Sequence, residues 1–179
     1  MLIQALDLQS FSVFADMPQS KLKAVSDKAT LEEFGPNVPI FNQNDPADSL
    51  YGLLEGQVDL QFLFRDKMLE TNIAYEESVL STMRNIDRPL TLETLNAGDI
   101  FGWSSMTGNE RYTATAMTTE PVRTFRIKAG QLRSVLDADP EVGYVFMSHL
   151  SEIIARRLHW RTEKLVQSWA EAFGVDRVS

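Results

Sequence analysis

A chain of 179 residues with 44% hydrophobic and 23% charged residues has the length of one domain with an appended element and the composition of a folded globular protein. It has no cysteine, which excludes disulfides, thiolate nucleophiles, cysteine-held iron–sulfur clusters and cysteine-containing zinc sites. A net charge of −8 and a pI near 4.8 lack the basic footprint that displaces counterions from nucleic acid, so no direct nucleic-acid contact is expected.

The segment Met1 to Ala15 carries neither a basic leader nor a long apolar stretch, and no later run approaches the ~18 apolar residues of a membrane span. A cytoplasmic protein with no membrane partner is expected. From Phe11 to Ala29, Phe14, Met17, Leu22, Val25 and Ala29 recur at helical spacing, with Pro18 and Ser20 as cap or first-turn residues. One or two short helices therefore open the domain.

After Thr30 short apolar runs alternate with Gly, Pro, Asn and Asp punctuation, at Gly35-Pro36-Asn37, Asn42 to Pro46, Glu55-Gly56, Asn96 to Asp99 and Gly108-Asn109. This reads as strands and hairpins over Leu31 to Phe34, Val38 to Phe41, Leu50 to Leu54, Gln57 to Phe64, Pro89 to Leu95, Thr113 to Thr118 and Val122 to Ile127. Val58, Leu60, Phe62 and Phe64 alternate with period two, so one face is buried. Between Arg65 and Arg88 no strand pattern stands out; Tyr75, Val79 and Met83 recur at helical spacing, as in an excursion from a long hairpin.

Beyond Ala129 the texture is helical again, with a short helix over Gln131 to Leu136, a cap and first turn at Asp139-Pro140, and a long helix from about Glu141 to Phe173. Along it Met147, Leu150, Ile154, Leu158, Arg161, Leu165, Trp169 and Ala172 follow spacings of three and four, a heptad seam with one charged break. Either the helix lies on its own domain or it pairs with a second copy through Leu150, Ile154, Leu158, Arg161 and Leu165. The expected fold is mainly β with flanking helices, an antiparallel β-roll or jelly roll over residues 1–140, then a long dimerisation helix over residues 141–179.

The segment with most chemistry is Asn96 to Met106, followed by Arg111-Tyr112-Thr113-Ala114-Thr115-Ala116. Gly102 permits a close turn, and Ser104 and Ser105 are small enough to begin a helical turn whose N–H groups could cradle an anion. Phe101-Gly102, this turn and the Arg-x-x-Ala-Thr-Ala run resemble the phosphate-binding cassette of the cyclic-nucleotide-binding domain, as found in catabolite-activator-type regulators and kinase regulatory subunits. Matching features include Phe14 with Leu22, Ile40-Phe41, Asn44 to Tyr51, Glu55-Gly56-Gln57-Val58 and Gly98-Asp99, so the likeness runs from about Ser10 to Leu165. Asn44 stands where the family has Gly; Asn tolerates the left-handed conformation better than other residues with a side chain.

The resemblance implies a ligand site at Phe101, Gly102, Trp103, Ser104, Ser105, Arg111, Tyr112 and Thr113. Two departures bear on it. Trp103 replaces the Glu that bonds the ribose in nucleotide-binding members, and Tyr112 occupies the place of the phosphate-pairing Arg, with Arg111 one residue early. Each charge-assisted hydrogen bond contributes roughly 1.5–3 kcal/mol, about tenfold or more in affinity, so ordinary cyclic AMP binding is not expected. Trp103 reads either as an aromatic platform for a flat ligand or as an indole filling the sugar pocket, and Arg111 either as an anion ligand or as a solvated loop charge.

His149 and His159 lie ten apart on a predicted helix, unable to form a close metal pair, and no phosphate-loop, dinucleotide or nucleophile-elbow pattern occurs. The basic run Arg156 to Lys164 reads as a solvated helix flank or as a patch for a partner. The sequence therefore points to a non-enzymatic regulatory module with no metal or cofactor, taking a small anionic ligand or serving a regulatory protein partner. The residues after Leu165 are too few for a helix-turn-helix, so no DNA-binding domain is expected. A cyclic-nucleotide sensor with a rearranged pocket and a cupin-like metal enzyme are the alternatives.

Overall fold

Antiparallel strands form the body of the fold, with helices before and after them. The computed structural model describes residues 8–75 and 78–174, and for residues 65–87 the backbone alone. A 3-10 turn, Ser12–Phe14, and helix α1, Gln19–Ser26, come first. Strands β1 (Ala29–Phe34), β2 (Pro39–Phe41), β3 (Ser49–Glu55), β4 (Val58–Tyr75), β5 (Ser78–Leu95) and β6 (Ile100–Phe101) follow. A second 3-10 turn, Trp103–Ser105, leads to β7 (Thr115–Thr118) and β8 (Val122–Lys128), then helices α2 (Ala129–Asp137) and α3 (Pro140–Phe173).

The strands form two antiparallel four-stranded sheets, ordered β1-β8-β3-β6 and β2-β7-β4-β5. In β3, Leu50 joins Phe11, Phe14, Phe125, Leu132 and Phe146 in a core between sheet and helices, whereas Tyr51 and Leu53 join Phe41, Val58, Leu95 and Phe101 inside the roll. Both faces of β3 are thus covered, and its first five residues are buried. Full burial of each such Leu or Phe side chain contributes about 1.5–3 kcal/mol. Gly52 sits on the helix-facing side, where a Cβ would lie 2.1 Å from the Phe125 ring, so that ring occupies the room a side chain would take.

The stretch from Arg65 to Arg88 differs from its helical spacing in sequence. It forms the continuing arms of β4 and β5, paired from Val58↔Leu95 to Tyr75↔Ser78 with a register shift between Leu60 and Gln61. Pairing of β4 with β7 stops at Gln61↔Thr115, so beyond it the hairpin is a two-stranded ribbon. Backbone pairing with the partner strand, which single-strand periodicity does not register, decides the conformation there. The two-residue β6 also escaped the sequence pattern.

Helix α3 begins as expected: Pro140 occupies the first turn and the Asp139 carboxylate accepts from Val142 N–H at 3.4 Å. Its buried residues are Val142, Phe146, Leu150, Ile153 and Arg157, spaced by four, four, three and four, so this stripe faces the domain. From Leu158 onward no residue of the helix is buried.

Candidate functional site

The turn after β6 is set by Gly102, whose φ of 76° is left-handed and which precedes the 3-10 turn. A Cβ there would lie 3.0 Å from the Ser49 carbonyl oxygen and 3.1 Å from the Tyr51 ring. Phe101 is fully buried and stacks on Tyr51 at 5.3 Å. Ser105 is spent internally: its N–H and hydroxyl both donate to the Gly102 carbonyl, at 3.2 and 2.9 Å, and its carbonyl accepts from Arg133 at 2.6 Å. Of the two serines, only Ser104 borders the adjacent cavity.

The loop that enters β7 is held by backbone pairing with Asn44 to Ala47. Tyr112 N–H donates to Asp45 O (3.0 Å), Asn44 N–H to Tyr112 O (2.9 Å), and Ala47 N–H to Glu110 O (2.9 Å). Asn44 has a φ of 72°, the left-handed conformation its residue type tolerates. This register turns Tyr112 inward and Arg111 outward. Tyr112 stacks on Phe41 at 3.8 Å, its hydroxyl donates to Ser49 O at 2.9 Å and it accepts from Ser49 N–H at 3.1 Å. Arg111 donates to Asn44 O at 2.6 Å on the exposed side, away from the cavity lining. The one-residue offset of Arg111 is not absorbed by a bulge.

A cavity of about 50 Å³ lies where these elements meet, lined by Phe41, Leu60, Gly102 to Ser104, Tyr112 to Ala114 and Arg161. Of the residues expected at a ligand site, Gly102, Trp103, Ser104, Tyr112 and Thr113 reach it, while Phe101, Ser105 and Arg111 do not. Burial raises the pKa of Tyr51 and of Tyr112, so both phenols stay neutral. Among the described residues, Arg161 is the one charged residue in the lining.

Arg161 belongs to a four-member charge cluster that ties α3 to the roll. Glu93 accepts from Arg161 Nη2 at 2.9 Å through Oε2 and pairs with Arg157 Nε at 3.1 Å through Oε1. Arg157 Nη2 also reaches Asp99 at 3.3 Å, and the Arg157 guanidinium lies 4.7 Å from the centre of the Trp103 ring, a cation–π contact. Arg157 is only 8% exposed; burial lowers its pKa, against the opposing pull of Glu93 and Asp99. Trp103 is therefore clamped between the helix-side core and an arginine.

Sequence reading missed Glu93, Asp99 and Arg157. The signal was present, because Glu93 shares a strand face with fully buried Leu95 and Arg157 continues the apolar stripe of α3: charges on two apolar faces must meet. The expected helix seam is divided in turn. Leu150 is buried in the domain core, Ile154 packs half-buried against it, and Arg161 pairs with Glu93 of its own chain. Leu158 and Leu165 remain 65% and 57% exposed.

His149 lies beside Asp16 and His159 beside Glu163, both outside the cavity lining. Among the described residues no group of three or more His, Asp or Glu could hold a metal ion, and no described helix is long and apolar enough to cross a membrane.

None of the curated proteins matches this chain. Among solved structures, a protein from Geobacter metallireducens GS-15 described as cyclic nucleotide-binding is 26% identical, covers 88% of this chain and 100% of its own, and superimposes with a TM-score of 0.66. A cyclic nucleotide-binding domain from Methylobacillus flagellatus KT is 15% identical, with 92% of this chain and 81% of that one covered and a TM-score of 0.67. The sensor domain of the transcriptional regulator DNR from Pseudomonas aeruginosa is 20% identical, with 86% and 90% covered and a TM-score of 0.61. The latter two likenesses are of fold. The family of the cyclic nucleotide-binding domain matches residues 31–139, a span that runs from within β1 to the end of α2 and holds the left-handed Gly102 and the cassette turn, and to this family the chain belongs.

Proposed function

We propose that the chain is a non-enzymatic regulatory or sensory module whose nucleotide pocket is filled by its own side chains. One observation carries this reading: Trp103, directly after Phe101-Gly102, lies under Arg157, and Glu93 ties Arg157 and Arg161 together beside it. The remaining space of about 50 Å³ is far below the several hundred Å³ of ordinary small-molecule pockets. At the place of a phosphate-pairing cation stands Tyr112, neutral and with its hydroxyl committed to Ser49. Cyclic AMP and cyclic GMP therefore find neither a sugar acceptor nor a phosphate donor.

The module acts as a homodimer through the far part of α3. There Leu158, Leu165, Trp169 and Phe173 are 65%, 57%, 64% and 73% exposed, at spacings of seven, four and four on one helix face, the pattern of a two-helix seam. A second reading, a cyclic-nucleotide sensor with a rearranged pocket, has Trp103 as its support, since the indole could swing out to stack on a base.

Isothermal calorimetry with cyclic AMP and cyclic GMP tests the first reading. No saturable heat is expected at micromolar ligand, and Trp103→Glu combined with Tyr112→Arg is expected to create binding. Micromolar or tighter binding by the unmodified protein overturns the filled-pocket reading in favour of the second.

A further inference from the structure

Helix α3 has another face, used neither by the cassette nor by the seam of Leu158, Leu165 and Trp169. Trp160 is two residues beyond Leu158, about 200° around the helix, and is 38% exposed. Clefts follow one another along this face. The central one, of about 240 Å³, has Ser12, Gly98, Ile100, Ile153, Arg156 and Trp160 in its walls. It shares Ser12, Ile153 and Arg156 with a cleft beside His149, and Trp160 with one that reaches Ala170. From His149 to Ala170 the helix rises about 32 Å, the length of roughly nine or ten extended residues.

This strip is basic and aromatic in a chain of net charge −8. From Arg156 to Lys164 the sequence holds four cations and one carboxylate. Arg157 and Arg161 are taken by Glu93 and Asp99, so the acids bordering the central cleft already have partners. Arg156 is exposed and makes no hydrogen bond or ion pair among the described residues. Lys164 lies over the Trp160 ring, 4.1 Å from its centre. A cavity of about 150 Å³ holds a benzene ring, so the central cleft admits one phenyl or leucine side chain against Trp160, Ile100 and Ile153, with Arg156 beside it to take a carboxylate.

We infer that this strip is a docking surface for an extended acidic peptide segment of another protein, which lays one aromatic or leucine side chain in the central cleft and sets its carboxylates on Arg156. Charge complementarity decides the class of partner. Glu152 and Glu163 border the outer clefts and repel a polyanion charged at every step, such as a nucleic acid. A peptide can place its acids at the centre and neutral residues at either end. The surface goes beyond the filled-pocket reading and does not depend on it, and a dimer through the seam presents two copies of it.

The test immobilises the full chain and selects from a displayed library of random nine-residue peptides, with the double variant Arg156→Glu and Trp160→Ala as the counter-selection. Peptides carrying an aromatic residue or Leu beside two or more carboxylates should enrich. A fluorescein-labelled copy of the strongest, followed by anisotropy, should lose about tenfold or more in affinity on Arg156→Glu and on Trp160→Ala singly, and should bind more weakly as salt rises. Arg156→Gln and Trp160→Leu replace any variant that loses the helical circular dichroism signal, with the same loss expected. No enrichment over the double variant, enrichment without carboxylates, or an affinity that both single substitutions leave unchanged overturns the docking surface. So does reassignment to another occupant: a Trp160→Ala chain that sediments as monomers where the parent is a dimer gives the strip to a second copy, and saturable binding of phosphatidylserine vesicles or single-stranded DNA that Arg156→Glu abolishes gives it to a membrane or a nucleic acid.

Discussion

Tyr112 shows how one side chain can close a subsite by satisfying a backbone elsewhere. Its hydroxyl serves both the N–H and the carbonyl of Ser49, and its ring stacks on Phe41. Tyr112→Phe keeps the stack and leaves the Ser49 N–H buried without its partner, which costs about 1–3 kcal/mol. A lower urea midpoint at unchanged slope is the expected result; an unchanged midpoint would show that the phenol is dispensable. At this scale the sequence was legible wherever a backbone conformation demands a residue type, as at Gly102 and Asn44. It was less legible where a side chain had a choice of neighbours. Arg111 looked equally able to turn inward, and only the pairing of its loop with Asn44 to Ala47 directs it to the Asn44 carbonyl.

Helix α3 is fastened at its start by Asp139, which caps it and pairs with Lys21 of the opening region at 3.0 Å. Bonding to Lys21, then to the Val142 N–H, lowers the carboxyl pKa of Asp139 in the folded chain. A depressed folded pKa means that the contribution is fully present above the ordinary carboxyl value of about 3.9 and is lost as pH falls through the lower, folded value. Asp139→Ala should therefore be less stable than the parent at neutral pH, with the gap narrowing at about pH 3. Equal gaps in urea midpoint at the two pH values would remove the Lys21 pairing from the account. The start of α3 could be read in advance because a Pro after an Asp is a local signal. Its charge cluster left only a divided signal, Glu93 on the Leu95 face of β5 and Arg157 on the apolar stripe of α3, with no local motif to join the two. The β4–β5 ribbon was obscured for the same reason, its order coming from a neighbouring strand.

At the scale of the molecule, the near part of α3 is consumed by its own domain and the far part is left apolar and exposed. Leu158→Asp falls on the exposed part, so it should leave the roll folded yet give monomers in sedimentation, where the parent is expected as a dimer. A monomeric parent at micromolar concentration would show that this face serves something else. The heptad seam was visible in the sequence, but its division between core and exposed face was not, because spacing alone does not say where a helix leaves its domain. The sheet order carries a further consequence, for biosynthesis. Strand β8 lies between β1 and β3, and Thr30 finds its partner Arg126 only 96 residues later. Until Lys128 has left the ribosome neither β1 nor the buried β3 has its central neighbour, while the β4–β5 hairpin, whose contacts are local, closes early. The nascent chain thus holds the β4–β5 ribbon beside a β1 with no strand neighbour and a β3 paired only with the short β6, and the late arrival of β8 joins these edges into a closed roll.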